Sequence, residues 1–359
     1  MAKRAKATVK RKAPRKVARK AAKAKRKVAK QTTRKTPRKA APKTAVGAKT
    51  TTTRKPVAAK AQKKPAAKAP TAAELVREAV RRYAKADLVF AHGTTDPVAE
   101  AAFLLCETLG LHPEDFDRIA GARVTRGPAA RFRELIAQRI ATRKPAAYLV
   151  NKMYMMGWPF YVDERTIVPR SFIGELLLSH FDDDGFSLIE PERVRRVLDL
   201  CTGSGCLAIL SALRFPQAQV DAVDLSADAL AVAAHNVALY GLEDRVTLHQ
   251  GNLFDRLGDT RYDLIITNPP YVDAMGMAGL PRECLHEPAM AFDGGDDGLD
   301  LVRTILAGAK THLAADGGLL CEIGRGRELL GNAYPNLPLL WLDTEDSDGE
   351  VFWISAEAL

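Results

Sequence analysis

The sequence predicts an α/β protein: a mostly parallel, doubly wound sheet of seven strands, a small helical domain ahead of it, and a disordered basic tail ahead of both. Three observations carry this. From Val194 onward, short aliphatic runs alternate with helix-length segments, the pattern that lays helices on both faces of a parallel sheet. A Gly-rich turn, Thr202-Gly203-Ser204-Gly205, separates the first strand of that alternation from its first helix. The charge is also split. Residues 1–70 hold 27 of the 54 Lys and Arg and no Asp, Glu, Phe, Tyr or Trp, whereas 71–359 carry the other 27 against all 43 acidic residues, a net charge of about −16. The overall +11 therefore describes neither part, and a uniformly basic folded protein is excluded.

The tail, residues 1–70, repeats Lys, Arg, Ala, Thr and Pro without a period, as in Lys10-Arg11-Lys12 and Lys25-Arg26-Lys27. Like charges repel, prolines break helices and nothing is available to bury, so the tail is expected to be disordered. It resembles the tails of linker histones. It is read as an electrostatic tether to RNA or DNA, sequence-blind and salt-sensitive because it lacks stacking aromatics. A solubilising extension or a mitochondrial targeting segment fits the composition too.

A helical domain is expected over 71–150. Thr71 and Glu74 form a capping box, followed by Leu75, Val76, Ala79, Val80 and Tyr83 at helical spacing. A second helix is predicted over Pro97–Leu109, with Val98, Ala101, Ala102, Leu105 and Leu109 on one face, and a third over Ala129–Thr142. Residues 151–193 hold a predicted β-hairpin, two aromatic-rich runs around Gly157, and a helix near Phe172–Phe181. In 194–359 the strand candidates are Val197–Leu200, Val220–Val223, Val246–His249, Tyr262–Thr267, Leu319–Ile323, Leu339–Leu342 and Val351–Ile354. Helices near Cys206–Phe215, Ala227–Tyr240 and Gly298–Leu313 separate them, and the last two strands are open to antiparallel pairing.

Five scattered cysteines (Cys106, Cys201, Cys206, Cys284, Cys321) without C-x-x-C spacing read as reduced thiols of a cytoplasmic enzyme. The seven histidines show no ligand spacing, and no metal site is expected. No secretory apolar run opens the chain and no stretch reaches the ~18 apolar residues of a membrane span, so no membrane partner is expected.

Three motifs carry chemistry. The Gly turn lets backbone N–H groups approach a ligand closely. Asp224, ending the second strand about 20 residues later, can accept both ribose hydroxyls of an adenosine. These two alone leave a dinucleotide and other nucleosides open, since Ala208 can stand for the last glycine of G-x-G-x-x-G. The third motif discriminates. Asn268-Pro269-Pro270-Tyr271 directly follows the strand Tyr262–Thr267. Two prolines fix the backbone, so the Asn268 carboxamide and the Pro269 carbonyl become rigid acceptors beside an aromatic face, a match for a planar NH2 nucleophile. A plain loop with Tyr271 in the core is the structural alternative.

On Thr202–Gly205, Asp224 and Asn268–Tyr271 the chain resembles the S-adenosylmethionine-dependent protein-(glutamine-N5) methyltransferases, over about 71–359. Tyr161–Arg165, Val168–Ser171, Cys201–Cys206 and His286-Glu287-Pro288 resemble the branch that modifies large-subunit ribosomal protein L-three rather than the release-factor branch. The resemblance implies a class I, Rossmann-like fold and S-adenosyl-L-methionine as cofactor. It implies cofactor contacts from Asp199, Thr202, Gly203, Ser204, Gly205, Asp224, Leu225, Asn252, Leu253 and Asn268. Asn268, Pro269 and Tyr271 would be catalytic, with Pro270 and Arg170 joining them around the acceptor. Asn252 stands where the family usually has Asp toward adenine, which implies retained but weakened binding. Asp199 is read as orienting either the turn or the methionine amino group. Arg170 and Glu175 are read as shaping the pocket or hinge, or as an ordinary surface pair. The competing functions are release-factor methylation, adenine-N6 methylation of nucleic acid, which also uses N-P-P-Y, and histone-like compaction without catalysis.

Overall fold

A computed structural model describes residues 68–181 and 187–359, so the reading of residues 1–67 as a disordered tail lies outside the described residues. The first helix, α1 (Ala72–Tyr83), starts at the expected capping box: Thr71 Oγ1 accepts from the Glu74 N–H at 3.2 Å and the Glu74 carboxylate accepts from the Thr71 N–H at 2.7 Å. Helix α2 (Pro97–Leu109) is capped by Asp96 and closed by left-handed Gly110. Its buried face is Ala101, Ala102, Leu104 and Leu105. Val98, expected on that face, is exposed in the first turn of the helix.

After the short α3 (Phe116–Ile119), α4 (Arg126–Thr142) begins three residues before the predicted Ala129; Pro128 sits in its first turn, where its missing N–H has no helical partner to lose. With α5 (Ala146–Val150), these helices close on a core of Leu75, Tyr83, Leu104, Leu105, Phe132 and Ile136.

The hairpin pairs β1 (Met153–Met155) with β2 (Trp158–Phe160). Both turn residues, Met156 and Gly157, take positive φ, as a two-residue primed turn requires. Helix α6 (Ile173–Ser179) then leads to the sheet.

The alternation from residue 194 is realised as β3 (Arg196–Leu200), α7 (Cys206–Arg214), β4 (Gln219–Asp224), α8 (Ala227–Tyr240), β5 (Val246–Gln250), β6 (Tyr262–Thr267), α9 (Ala274–Ala278), α10 (Asp300–His312), β7 (Leu313–Glu322), α11 (Arg327–Ala333), β8 (Leu340–Asp343) and β9 (Asp348–Ser355). The strand order is β5-β4-β3-β6-β7-β9-β8, parallel except at β9, which runs antiparallel to both neighbours. This is the class I methyltransferase arrangement. All seven predicted strands form. The fifth is longer than predicted, reaching back to Leu313 around a bulge against Tyr262–Leu264. Helices α9 and α11 lie where no helix was expected. The order reverses between β3 and β6, and their carboxyl ends open the crevice in which ligands of such sheets sit.

Candidate active site

The turn after β3 is wound by three left-handed residues, Cys201, Gly203 and Gly205, at φ of 57°, 56° and 79°. Fully buried Asp199 braces it from below, taking Thr202 Oγ1 at 2.5 Å and the Ala208 N–H at 3.0 Å on one oxygen. Burial pushes this carboxyl up to about 7, against the pull of those two hydrogen bonds. The Asp224 carboxylate takes the Gly203 N–H at 2.8 Å and the Ser226 N–H at 2.9 Å, buckling the second strand's end to the first strand's turn. Burial raises its pKa while these N–H groups oppose the rise. At Gly205 a side chain would press on Ala233 of α8, so this glycine serves close packing. At Gly203 a Cβ would meet nothing within 4 Å, so open space fronts the turn.

Two clefts share that space. The first is lined by Gly203, Asp224, Leu225, Asn252, Leu253, Asn268 and Pro270, with apolar walls from Val223, Met290 and Leu301. The second is lined by Arg170, Thr202, Ser204, Asn268, Pro269, Tyr271, Leu280 and Phe292. Cys201, Gly203 and Asn268 stand on both walls. The structure thus divides the expected cofactor residues: Gly203, Asp224, Leu225, Asn252, Leu253 and Asn268 surround one cleft, Thr202 and Ser204 face the other, and Asp199 and Gly205 line neither. Pro270, expected beside the acceptor, lines the first cleft.

The Asn268–Tyr271 loop leaves β6 where Thr267 Oγ1 donates to the Leu200 carbonyl at 3.0 Å. The Asn268 Nδ2 donates to the Arg170 carbonyl at 3.0 Å. Tyr271 lies 3.4 Å through its hydroxyl from Glu322, and burial raises its phenol pKa. Room for it comes from glycines. A Cβ at Gly298, φ 81°, would fall 2.5 Å from the Tyr271 carbonyl oxygen, and one at Gly324 would fall 2.6 Å from its ring. Neither glycine was singled out from the sequence.

The pairing of Arg170 with Glu175 is corrected. Arg170 forks onto Glu287 at 3.0 and 3.2 Å, and Glu175 instead accepts the Glu345 N–H at 3.0 Å. Residues missed from the sequence are Asn236 and Glu322; Glu287 was singled out there only within His286-Glu287-Pro288, without a role. Fully buried Asn236 accepts the Tyr161 N–H at 2.8 Å and donates to the Tyr161 and Ser204 carbonyls at 2.9 Å. An asparagine inside an apolar helix was the available signal. The structure also groups His92, Cys284 and Glu287 within 4.8 Å, although the sequence showed no ligand spacing. The Arg170 guanidinium already occupies both Glu287 oxygens, which sets a positive charge where a metal would sit.

Comparisons with known proteins fit this geometry. Residues 173–283 match the methyltransferase small domain and residues 70–150 the PrmC N-terminal domain. A ribosomal protein uL3 glutamine methyltransferase of Bradyrhizobium diazoefficiens is 68% identical over 292 residues, covering 80% of this chain and 92% of its own. One from Bordetella pertussis is 49% identical over 291 residues, covering 80% and 96%. The chain belongs to the ribosomal protein uL3 glutamine methyltransferase family. It is an S-adenosylmethionine-dependent methyltransferase of class I fold. Among solved structures, the human Mettl16 catalytic domain in complex with a MAT2A 3'UTR hairpin covers 67% of this chain and 87% of its own at 14% identity, with a TM-score of 0.42. No helix of the described residues is long and apolar enough to cross a membrane.

Proposed function

We propose that this enzyme methylates the side-chain nitrogen of a glutamine on ribosomal protein uL3, in the cytoplasm, before or during ribosome assembly. The observation that carries the reading is Asn268. It stands on the wall common to both clefts, and the Arg170 carbonyl uses its amide N–H, which leaves Oδ1 as the carboxamide's acceptor. An acceptor oxygen at that junction suits an NH2 group entering the second cleft.

The first cleft fits S-adenosylmethionine. Asp224 offers a carboxylate on the wall for a ribose diol, Gly203 leaves room at its backbone, and Leu225, Leu253, Val223 and Met290 give apolar faces for a purine. Asn252 keeps an acceptor oxygen for the adenine amine. Asp199, which lines neither cleft, acts on the turn through Thr202 and Ala208. When bound, the cofactor supplies an electrophilic methyl group on a sulfonium.

This chain's own residues align the nucleophile. An amide nitrogen is weakly nucleophilic because its lone pair is delocalised into the carbonyl. Asn268 Oδ1 and the Pro269 carbonyl accept its two N–H groups and turn the lone pair toward the first cleft. Tyr271 packs on the amide plane. Alignment of this kind contributes up to ~7–11 kcal/mol, so no strong base is required. The helical segment 71–150 contributes acceptor recognition, and residues 1–70 contribute sequence-independent contact with RNA.

Isolated uL3, release factors and RNA, each incubated with the enzyme and methyl-labelled S-adenosylmethionine, test the reading. Label on a uL3 glutamine, located by mass spectrometry, is expected; label confined to a release factor or to nucleic acid would overturn it.

A further inference from the structure

Two buried carboxylates grip one short segment of chain from either end. Glu287 accepts the Val168 N–H at 2.7 Å and the Arg170 guanidinium at 3.0 and 3.2 Å. Glu322 accepts Ser171 Oγ at 2.6 Å and the Phe172 N–H at 3.0 Å. Between these four anchors is the Arg170 carbonyl, which takes the Asn268 Nδ2 at 3.0 Å. Glu322 also reaches the Tyr271 hydroxyl, so it touches both sides of the acceptor loop. Both carboxylates are at least nine-tenths buried, and a charge held in such a place needs its full set of donors.

We infer that Glu287 and Glu322 are positioning residues for methyl transfer: together they clamp Val168–Phe172 so that the Arg170 carbonyl fixes the Asn268 carboxamide with its oxygen toward the acceptor. A carboxamide can flip end for end, and flipping would present an N–H donor to the acceptor NH2, a repulsive pairing. The Arg170 carbonyl selects one orientation, and it can do so only while its own peptide is held. The Arg170 side chain works on Glu287. Glu287 also bonds His92 at 3.0 Å, which ties the clamp to the segment ahead of α2.

Glu322 is a carboxylate whose charge matters to this clamp. It faces Ser171, the Phe172 N–H and Tyr271, with Cys321 beside it and Glu350 of β9 adding like-charge repulsion. Burial, with that repulsion, pushes its carboxyl up to about 7. In the ionised form both oxygens accept, Oε2 from Ser171 and the Phe172 N–H and Oε1 from the Tyr271 hydroxyl.

The inference rests on Asn268 as the acceptor-orienting group. The test measures kcat on uL3 and S-adenosylmethionine affinity for Glu287→Gln, Glu322→Gln, Arg170→Gln, His92→Gln and Asn268→Ala. Glu287→Gln and Arg170→Gln should lower kcat on the order of ten- to a hundredfold with cofactor affinity unchanged, the scale set by small misplacements of reacting groups. His92→Gln should lower kcat less than Glu287→Gln does, because the Val168 N–H and the Arg170 guanidinium still hold the carboxylate. Glu322→Gln should be slower than the parent with cofactor affinity unchanged, and its fall in kcat as pH drops through about 7 should be shallower than the parent's, Asp199 alone supplying what is left of it. Glu287→Gln at the parent rate beside an inactive Asn268→Ala overturns the inference. So does His92→Gln matching Glu287→Gln, which would make Glu287 a strut to the helical segment. So does Glu322→Gln at the parent rate. An active Asn268→Ala removes the reading of the loop itself.

Discussion

Asn268 and Asp224 stand on the wall of the same cleft, yet their loss should show in different measurements. Asn268→Ala removes one of two acceptors for the nucleophile, so turnover should fall by most of its value while calorimetry shows S-adenosylmethionine still bound. Asp224→Ala removes a charged acceptor from a ribose hydroxyl, a loss on the order of 1.5–3 kcal/mol, or roughly ten- to a hundredfold in affinity. Unchanged cofactor affinity in Asp224→Ala would show that the ribose lies elsewhere. The buried carboxyls set a pH dependence of their own. Asp199 and Glu322 both titrate near 7 in the fold because burial penalises their charge. Between their ordinary range near 4 and about 7, the native state holds protons that the unfolded chain has released, so stability falls as pH rises through that window. Urea midpoints at pH 5 and pH 8 should differ in that direction, and Glu322→Gln should narrow the difference by on the order of 2–3 kcal/mol. The same ionisation that completes the clamp on Val168–Phe172 thus costs the fold stability.

At the scale of elements, what could be read from the sequence is what local chemistry writes into it. The capping box at Thr71 and Glu74, the Pro97 start of α2 and the short aliphatic runs of β3, β4 and β6 declare themselves within a few residues of chain. The loop Asn268–Tyr271 declared its chemistry for the same reason, since two prolines and an aromatic act on their immediate neighbours. Arg139 shows what was hidden. A charged residue inside α4, it is fully buried, bonded to Glu100 at 3.0 Å and to the Val89 and Arg143 carbonyls, with Glu283 at 3.9 Å. Its partners come from α2, the loop before it and a loop after β6, which only the folded chain brings together. The partners of Glu287 and Glu322 in Val168–Phe172 were hidden in the same way, more than a hundred residues away. Short α9 and α11 lack the periodicity that marks longer helices. Glu100→Ala should expose the cost of such burial: it strands the Arg139 guanidinium without its carboxylate, a loss of about 3–5 kcal/mol readable as a lower urea midpoint. A midpoint within experimental scatter of the parent would show that water or Glu283 satisfies Arg139 instead.

For the whole molecule, the decisive feature is the division of charge. All catalytic motifs lie in the part that carries about −16, and the 27 cations of residues 1–70 lie apart from them in sequence. An acidic catalytic part repels nucleic acid, which argues against RNA or DNA as methyl acceptor, since a cleft that reads nucleic acid carries positive surface of its own. A segment of pure positive charge attracts phosphate regardless of sequence, each neutralised phosphate releasing counterions, so the bond weakens steeply with salt. The two parts together suit the proposal of an enzyme whose protein acceptor is made and assembled beside ribosomal RNA, with the basic segment proposed to hold it near while the acidic part does the chemistry. Removing residues 1–70 should therefore leave kcat and KM for isolated uL3 essentially at parent values, because the clefts around Asn268 are built entirely from residues after 150. The same truncation should abolish RNA retention that, in the full chain, decays with rising salt. It should also slow methylation of uL3 presented in an RNA-bound assembly intermediate, most strongly at low ionic strength, where tethering is greatest. A truncated enzyme that is folded by circular dichroism yet inactive on isolated uL3 would show that the basic segment takes part in the reaction itself, and the division of labour would fail.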